Sequence, residues 1–543
     1  MADNGLAEKN GVGEGSKSGP ASDFGSVQQP QLSIIRAVRR WPKVSLWVFL
    51  QCASIILVGF DISIVSNVAS LPQFQHDFGQ PFGDTRIIPA LWIGLWNGIM
   101  PVGSIAGAFS AGVAQDFMGR RLTLAFASAL SAVCVAVAFV SDLPADMDTR
   151  RGVFLLAKTA HGFANGALIC AVETWTSEVL PSALRGPGVA LYPIFTLVGQ
   201  LVGSLVVQGL LNLPGATSYR AAFATQWPFT ALSLTVALLA PESPAWLVRV
   251  GRLDAARASH ARLDSSPTEA ERDAAFEEIR GIVRTEREQA GQRDVAYSEC
   301  FRGVDTRRTL VTVFARCLPN LFGLPLFATA SYFLQMIGVE ARVSLLFMLA
   351  GVLVGLFSNL ISLPLLARFN RRTLLIPSLA ACSALWTSIG IAGCFMETGN
   401  ATVVRWFVSV AMMGTMASVS VGAWPAAHVV NCETSSLRLR ARAQGLAGMA
   451  TQLLAGVFSI ALPYIYSPDQ GSSGPKVGFL FAGFSALAVV GTWLYVPEMK
   501  DRDQLEIDIM FEQRLPARAF RGWKGDPGSV VASAVPSGEG RTV

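Results

Sequence analysis

Two ionisable residues, Asp61 and Lys158, lie inside long apolar runs of this sequence. Asp61 belongs to a run over residues 45–70, and Lys158 belongs to a run over residues 152–172. A charged side chain in hydrocarbon is costly, so a residue of this kind is by default a candidate for function. A static salt bridge that joins two helices is the alternative explanation, and the sequence leaves it open.

A second group of charged residues occurs twice, at matching places in the two halves of the chain. A basic pair follows a short loop, an acidic residue precedes an arginine by seven positions, and a Pro-Glu pair ends each half. The first copy contains Asp116, Arg120, Arg121, Glu178, Arg185 and Glu242, and the second contains Ala367, Arg371, Arg372, Glu433, Arg440 and Glu498. The shared order and spacing indicate an internal repeat.

These repeated charges lie at the ends of apolar runs, where they can do one of two things. Carboxylates and arginines at helix ends can form ion pairs that gate a passage by holding one end of it closed. They can also serve only to fix the orientation of the helices in a membrane. The second copy has Ala367 and Asn370 where the first has Asp116 and Gly119, so we expect its latch to be weaker.

The elements that carry these residues are predicted to cross a lipid bilayer. Of the 543 residues, 51% are hydrophobic and 15% are charged, whereas soluble proteins carry about 25% charged residues. A span needs about 20 apolar residues. Twelve runs of that size occur, six on each side of a polar stretch over residues 249–308. They cover residues 45–70, 89–113, 122–141, 152–172, 188–211, 222–240, 310–334, 343–366, 373–394, 403–430, 444–466 and 476–496.

The sequence therefore predicts an all-α membrane protein of two six-helix bundles. The predicted parts are a disordered tail (1–43), the first bundle (44–240), a linker with short amphipathic helices (241–308), the second bundle (309–496) and a C-terminal tail (497–543). Basic residues are concentrated in alternate loops and before the first span, which predicts that both termini are cytoplasmic.

Composition argues against several other classes of protein. The four histidines and eight cysteines show no metal-ligand spacing, so no metal site is expected. We find no arrangement of nucleophile, base and acid and no phosphate-binding glycine loop, so we expect neither an enzyme nor a bound cofactor. The net charge of +5 is spread over short loops, which favours membrane orientation over nucleic-acid binding. We expect a monomer whose partners are the bilayer and a small molecule.

The repeated motifs together resemble the sugar porter family of the major facilitator superfamily, over about residues 45–515. The motifs are Asp116–Arg121, Glu178 to Arg185, Pro241–Leu247 and Pro497–Lys500, and Phe511–Arg518 is similar to the fungal α-glucoside permease branch. The resemblance implies a twelve-helix major facilitator fold in the plasma membrane. It also implies uptake of a sugar or polyol by alternating access, driven by a proton gradient.

The same resemblance assigns roles to residues within the spans. Asp61 would accept the proton, with Lys158 as its cationic neighbour. The substrate-binding candidates are Gln200 in span five, Asn320 and Tyr332 in span seven, and Trp424 and His428 in span ten. His428 could be pH-sensitive or only structural.

Span seven departs from the family pattern, because Pro319 and Pro325 stand where the family has amides. A sugar needs several directional hydrogen bonds, so a carrier of a less polar metabolite, imported or exported, is the alternative function. A nutrient sensor that binds without transporting is a third hypothesis.

Overall fold

Long α-helices dominate the fold. The computed structural model describes residues 38–82, 85–266, 268–290, 297–396, 401–435, 439–500, 502 and 504–523. The predicted N-terminal tail and the last twenty residues fall mostly outside these ranges.

The first half of the chain contains six membrane-crossing segments. They are α1 (Pro42–Ala69), α3 (Ala90–Met118), α4 (Arg120–Phe139), α5 (Met147–Val179), α6 (Ser182–Leu210), and the consecutive helices α7 (Thr217–Ala224) and α8 (Trp227–Leu239). A short helix α2 (Pro72–Phe78) and an antiparallel pair of strands, β1 (Gln80–Phe82) and β2 (Thr85–Ile87), lie between α1 and α3.

The linker holds three helices, α9 (Pro244–Arg249), α10 (Leu253–Leu263) and α11 (Glu269–Ala290), followed by a 3₁₀ turn, Tyr297–Phe301. These helices lie within residues 241–308, the linker for which the sequence predicts short amphipathic helices.

The second half repeats the six-segment pattern. Its helices are α12 (Gly303–Leu321), α13 (Leu324–Ala328), α14 (Ala330–Met336), α15 (Ala341–Arg368), α16 (Arg371–Cys394), α17 (Ala401–Ser418), α18 (Trp424–Thr434), α19 (Arg440–Tyr466) and α20 (Val477–Tyr495). Helix α21 (Gln504–Glu512) and a 3₁₀ turn, Phe520–Gly522, follow the last span.

Ten helical segments of the described chain are long and apolar enough to cross a membrane. The two remaining predicted spans correspond to α3, which is 29 residues long, and to the broken series α12–α14. We call the end of the molecule at which α1 begins the motif end, because the repeated charged motifs lie there, and the opposite end the closed end.

Two predicted spans are interrupted rather than continuous. Span seven breaks at Gly323, whose φ of +103° is left-handed, a conformation that glycine adopts at little cost. Pro325 follows and has no N–H to donate. The freed carbonyl of Phe322 is not left unpaired, because it accepts a hydrogen bond from Trp386 Nε1 at 2.9 Å.

Span ten contains a π turn, Val419–Ala423, between α17 and α18. Pro425 at the start of α18 cannot donate to the preceding turn. Within the turn, the N–H of Ala423 donates to Ser378 Oγ at 3.0 Å, so the neighbouring helix α16 binds a backbone group of the turn.

Glycines allow α3 and α5 to pack backbone against backbone. A Cβ at Gly107 would lie 1.9 Å from the carbonyl oxygen of Phe163, and one at Gly166 would lie 2.0 Å from that of Ser104. Small residues at such contacts permit the close approach that packing in a membrane requires.

A matched pair of glycines in α3 tests this packing. Gly107→Ala should lower the free energy of unfolding by about 1–3 kcal/mol, because the added methyl group forces the two helices apart. Gly112→Ala in the same helix has open space around it and should stabilise the protein by about 0.5–1 kcal/mol. Thermal unfolding of the purified variants in detergent measures both effects. Equal shifts for the two variants would contradict the proposed contact.

Candidate functional site

Asp61 lies at the centre of a fully buried polar network in the first half. The Lys158 ammonium is 2.5 Å from Asp61 Oδ1, and His161 Nδ1 is 3.0 Å from the same oxygen. Asn165 Nδ2 donates to Oδ2 at 2.9 Å. None of Asp61, Lys158 and His161 is more than 3% exposed. The carboxylate is therefore held by three donors from one helix, away from bulk water.

The predicted pair Asp61 and Lys158 is thus brought together, but two other members of the network were not identified from the sequence. His161 and Asn165 follow Lys158 by three and seven positions, which places all three on one face of α5. The spacing from Lys158 is the feature of the sequence that could have identified His161 and Asn165. His161 Nε2 also lies 2.9 Å from Ser131 Oγ of α4, so the ring connects the carboxylate to a hydroxyl that can donate or accept.

The two halves of the chain meet at the closed end through a set of hydrogen bonds between uncharged groups, beside which the N–H of Ala90 donates to the Asp469 carboxylate at 3.1 Å. Ser331 Oγ lies 2.9 Å from Ser66 Oγ and donates to Asn67 Oδ1 at 3.2 Å. Gln335 accepts from Gln75 at 2.8 Å and donates to the Ser70 carbonyl at 2.8 Å. We call this set the closed-end gate.

Tyr332 also belongs to the closed-end gate. Its hydroxyl donates to the Ile88 carbonyl at 3.0 Å, and its side chain is 1% exposed. Between described residues, no hydrogen bond or ion pair joins the two halves at the motif end. Among the described residues, the bonds between the halves therefore lie at the closed end.

Three ionisable residues face the space between the halves in the direction of the motif end. Arg316 of α12 is half-buried, and one guanidinium nitrogen lies 3.0 Å from His428 Nδ1 of α18. Glu173 of α5 is exposed and close enough to Arg316 for their charges to interact. Arg316 and Glu173 were not among the sequence-based site candidates, although Arg316 lies within the predicted span 310–334 and Glu173 directly follows the predicted span 152–172.

The remaining predicted substrate residues lie on three different helices. Asn320 is one turn beyond Arg316, and its amide donates to the Thr451 carbonyl at 3.0 Å. Gln200 of α6 is 9% exposed and Trp424 of α18 is 7% exposed. Asn320 thus lies one turn from the arginine that contacts His428, whereas Tyr332 lies in the closed-end gate.

The first copy of the repeated motif forms an arginine-centred latch at the motif end. Arg120 donates from Nη2 to Glu178 Oε1 at 2.9 Å and from Nη1 to the Gln115 carbonyl at 2.9 Å. Glu242 Oε1 accepts the backbone N–H of Arg120 at 3.0 Å. Asp116, by contrast, is 75% exposed and 3.9 Å from Arg120.

The second copy repeats this geometry residue by residue. Arg371 donates from Nη2 to Glu433 Oε1 at 2.9 Å and from Nη1 to the Leu366 carbonyl at 2.9 Å. Glu498 Oε1 accepts the backbone N–H of Arg371 at 3.1 Å. Asp116 makes only a long, exposed contact in the first copy. The presence of Ala367 at the matching position therefore removes little ion-pair stabilisation from the second copy.

Each latch lies within one half of the molecule. The side chains of Arg121 and Arg372 donate to the carbonyls of Leu238 and Trp493 rather than to carboxylates. Burial raises the pKa of the Glu242 carboxyl, and the backbone N–H groups that it accepts act in the opposite direction. The side chains of Arg185 and Arg440 lie outside the described part of the chain.

This arrangement defines the class of protein. Two six-span halves, a buried carboxylate network in one half and contacts between the halves at one end characterise a multi-pass carrier of the major facilitator fold. The partially occluded, inward-open form of the xylose transporter XylE from E. coli shares this fold. It has a TM-score of 0.67 and 18% identity, covering 85% of this chain and all of that one.

The chain belongs to the family described as sugar (and other) transporters, whose model matches residues 47–511. Among its relatives, the general alpha-glucoside permease of Saccharomyces cerevisiae is 26% identical over 534 residues, which cover 97% of this chain and 84% of the permease. The MFS transporter fmqE of Aspergillus fumigatus is 26% identical over 473 residues, covering 86% of this chain and 85% of that protein.

The two latches make a testable pair, because their geometry matches while their exposure differs. The Glu178 and Glu433 side chains are 11% and 28% exposed, and Glu178 also pairs with Arg249 at 3.1 Å. Glu178→Gln should cost about 2 kcal/mol, because it leaves a buried guanidinium without its counter-charge. Glu433→Gln should cost about 1 kcal/mol or less, because solvent screens the more exposed pair.

Thermal unfolding of the two single variants in the same detergent measures the difference. An equal or larger loss for Glu433→Gln would contradict the ranking of the two latches.

Proposed function

We propose that this carrier imports a sugar or polyol together with a proton by alternating access. The observation that carries the proposal is the Asp61 network, which places a carboxylate, an ammonium and an imidazole at membrane depth with almost no exposure. In a member of this transporter family, a buried acid with these partners is suited to take up and release a proton.

Protonation of the Asp61 network should change the structure around it. With Asp61 ionised, its charge balances that of Lys158. A proton on Asp61 removes the counter-charge of a buried ammonium, which is unfavourable unless the surroundings rearrange. His161 can carry the proton instead, because Ser131 can accept from Nε2 of the charged ring or donate to it in the neutral ring. Protonation is therefore coupled to a change in this half of the protein.

The contacts between the halves support the alternating-access part of the proposal. The closed-end gate consists of hydroxyls, amides and carbonyls, whose bonds contribute only about 0.5–1.5 kcal/mol each because water can replace them. Such a gate can open without separating buried charges. At the motif end, we propose that the two arginine latches hold the helix ends of each half in place as the halves move.

The relatives favour a sugar as cargo and a fungal plasma membrane as location. Both the general alpha-glucoside permease and the maltose permease MAL61 of Saccharomyces cerevisiae, the latter 27% identical over 511 residues, are named for sugars. We further propose that the chain acts as a monomer without a bound cofactor, that both termini are cytoplasmic, and that the residue ranges predicted for the two bundles and the linker hold.

Replacing Asp61 tests proton coupling. Asp61→Asn keeps the size of the side chain and can still accept hydrogen bonds, but it has no carboxylate to titrate. We expect uptake of radiolabelled sugar into liposomes to lose its response to an imposed proton gradient, with at least a tenfold lower gradient-driven rate. The exposed Asp254 of the linker provides a control, and Asp254→Asn should behave as wild type.

Undiminished gradient-driven uptake by Asp61→Asn would show that the network is only a structural salt bridge. Because this substitution leaves Lys158 without its counter-charge, the melting temperature of the variant should be measured in the same preparation. Exchange of sugar between equal concentrations on both sides then shows whether the variant still folds and binds.

A second candidate cargo is a hydroxylated carboxylate such as a sugar acid, and Arg316 favours it. Among the described residues, no carboxylate lies within 4.0 Å of this guanidinium, whereas Lys158, Arg120 and Arg371 each have one within 2.9 Å. A guanidinium has five N–H donors, and His428 engages only one nitrogen. A cargo carboxylate could occupy the others and compete with Glu173 for the charge.

Competition between substrates for uptake distinguishes a neutral sugar from a sugar acid as the cargo. If the cargo is acidic, galacturonate should inhibit the uptake of radiolabelled sugar into liposomes at least tenfold more strongly than galactose does. Arg316→Gln should remove this preference for the acidic inhibitor. The half-buried Arg405 at the closed end is a control, since its side chain donates to the Ile337 carbonyl and its replacement by Gln should leave the preference unchanged. Stronger inhibition by galactose in the wild type would exclude the acidic cargo.

A further inference from the structure

A cavity of about 420 Å³ opens at the motif end of the second half, outside the transport site. Its wall includes Arg372 and Ile376 of α16, Glu498 after α20, and Arg518 and Arg521 of the segment that follows α21. The cavity therefore lies between a membrane-spanning helix and the C-terminal segment that packs against it.

The cavity has an excess of positive charge. Three arginines line it, whereas Glu498 is the one carboxylate among its lining residues. That carboxylate is already engaged, because its oxygens accept the backbone N–H groups of Arg371, Arg372 and Lys500 at 3.0–3.3 Å. It caps the start of α16 and also interacts favourably with the charge of Arg372, so three guanidinium groups share a single carboxylate.

Two of the arginines are held next to each other by the end of α20. Arg372 donates to the Trp493 carbonyl at 2.8 Å, and the Arg518 guanidinium lies 3.5 Å from the centre of the Trp493 ring. Their like charges are close enough to interact. Arg521, the third cation, has no hydrogen bond or ion pair with another described residue. An anion between these groups would remove their repulsion.

The position of the cavity in the bilayer indicates the kind of anion. Arg372 is the second residue of α16, and Ile376 and Pro377 lie one turn further into the span. Trp493 is in the last turn of α20, where interfacial tryptophans are common. The cavity thus has a basic rim at headgroup depth and an apolar wall that continues into the hydrocarbon.

We propose that this cavity binds the phosphorylated headgroup of an anionic membrane lipid, with phosphate oxygens on Arg372, Arg518 and Arg521. Arginine forms paired hydrogen bonds with phosphate, and basic pockets between spanning helices suit lipid headgroups of this type. A bound lipid would join the C-terminal segment to α16 and so stabilise the motif end of the second half.

Arg521→Gln is the most informative variant, because it removes a cavity charge without breaking a contact to another described residue. Full-length protein is placed in nanodiscs of phosphatidylcholine with or without phosphatidylinositol 4-phosphate. We expect the phosphoinositide to raise the melting temperature of the wild type. The affinity for a fluorescent phosphoinositide should fall about fivefold in Arg521→Gln, as expected for about 1 kcal/mol per arginine.

Arg514→Gln is the matched control, since Arg514 is exposed in the same segment and does not line the cavity. It should bind the phosphoinositide as the wild type does. Equal affinities for wild type, Arg521→Gln and the double variant Arg518→Gln/Arg521→Gln would overturn the proposal, provided that all three melt at the same temperature in phosphatidylcholine alone.

Soluble competitors identify the source of the phosphate. If a lipid is bound, inositol phosphate and inorganic phosphate should displace the fluorescent phosphoinositide only at concentrations at least a hundredfold above that of the unlabelled lipid. Displacement by the soluble inositol phosphate at the same concentration as the lipid would overturn the lipid assignment and identify a soluble phosphate ester as the ligand.

Discussion

A charge inside the bilayer must find its counter-charge within the protein, and this constraint accounts for the arrangement around Asp61. The carboxylate is buried, so it is held by Lys158, His161 and Asn165, all from one face of α5. Because the three donors come from a single helix, the network links α1 to α5 and ties any change of protonation to the position of these two helices.

The same electrostatic constraint explains why the two latches use partly buried arginines in matching ways. In each half, one guanidinium joins a carbonyl at the end of one helix to the carboxylate of another, while a second carboxylate caps the helix that begins with that arginine. These bonds strengthen each half internally. The bonds of the closed-end gate are uncharged, so they can be exchanged for water at modest cost.

Much of the fold could be predicted from the sequence, because twelve apolar runs and a duplicated set of motifs leave few alternatives. The Asp61–Lys158 pair could also be predicted, since intramembrane charges seek partners. The closed-end gate could not, because Ser66, Ser331 and Gln335 are ordinary polar residues whose meeting depends on the tertiary arrangement. Arg316 and Glu173 were missed because hydropathy alone does not show which side of a span faces the space between the halves.

The interruption of span seven separates two tasks within one span. Helix α12 carries Arg316 and Asn320, whereas α14, beyond the left-handed Gly323 and the short α13, carries Ser331, Tyr332 and Gln335. A continuous helix would force these two groups to move together. Two interruptions separate these groups, so the seven residues of α14 can change direction relative to α12 without carrying Arg316 and Asn320 with them.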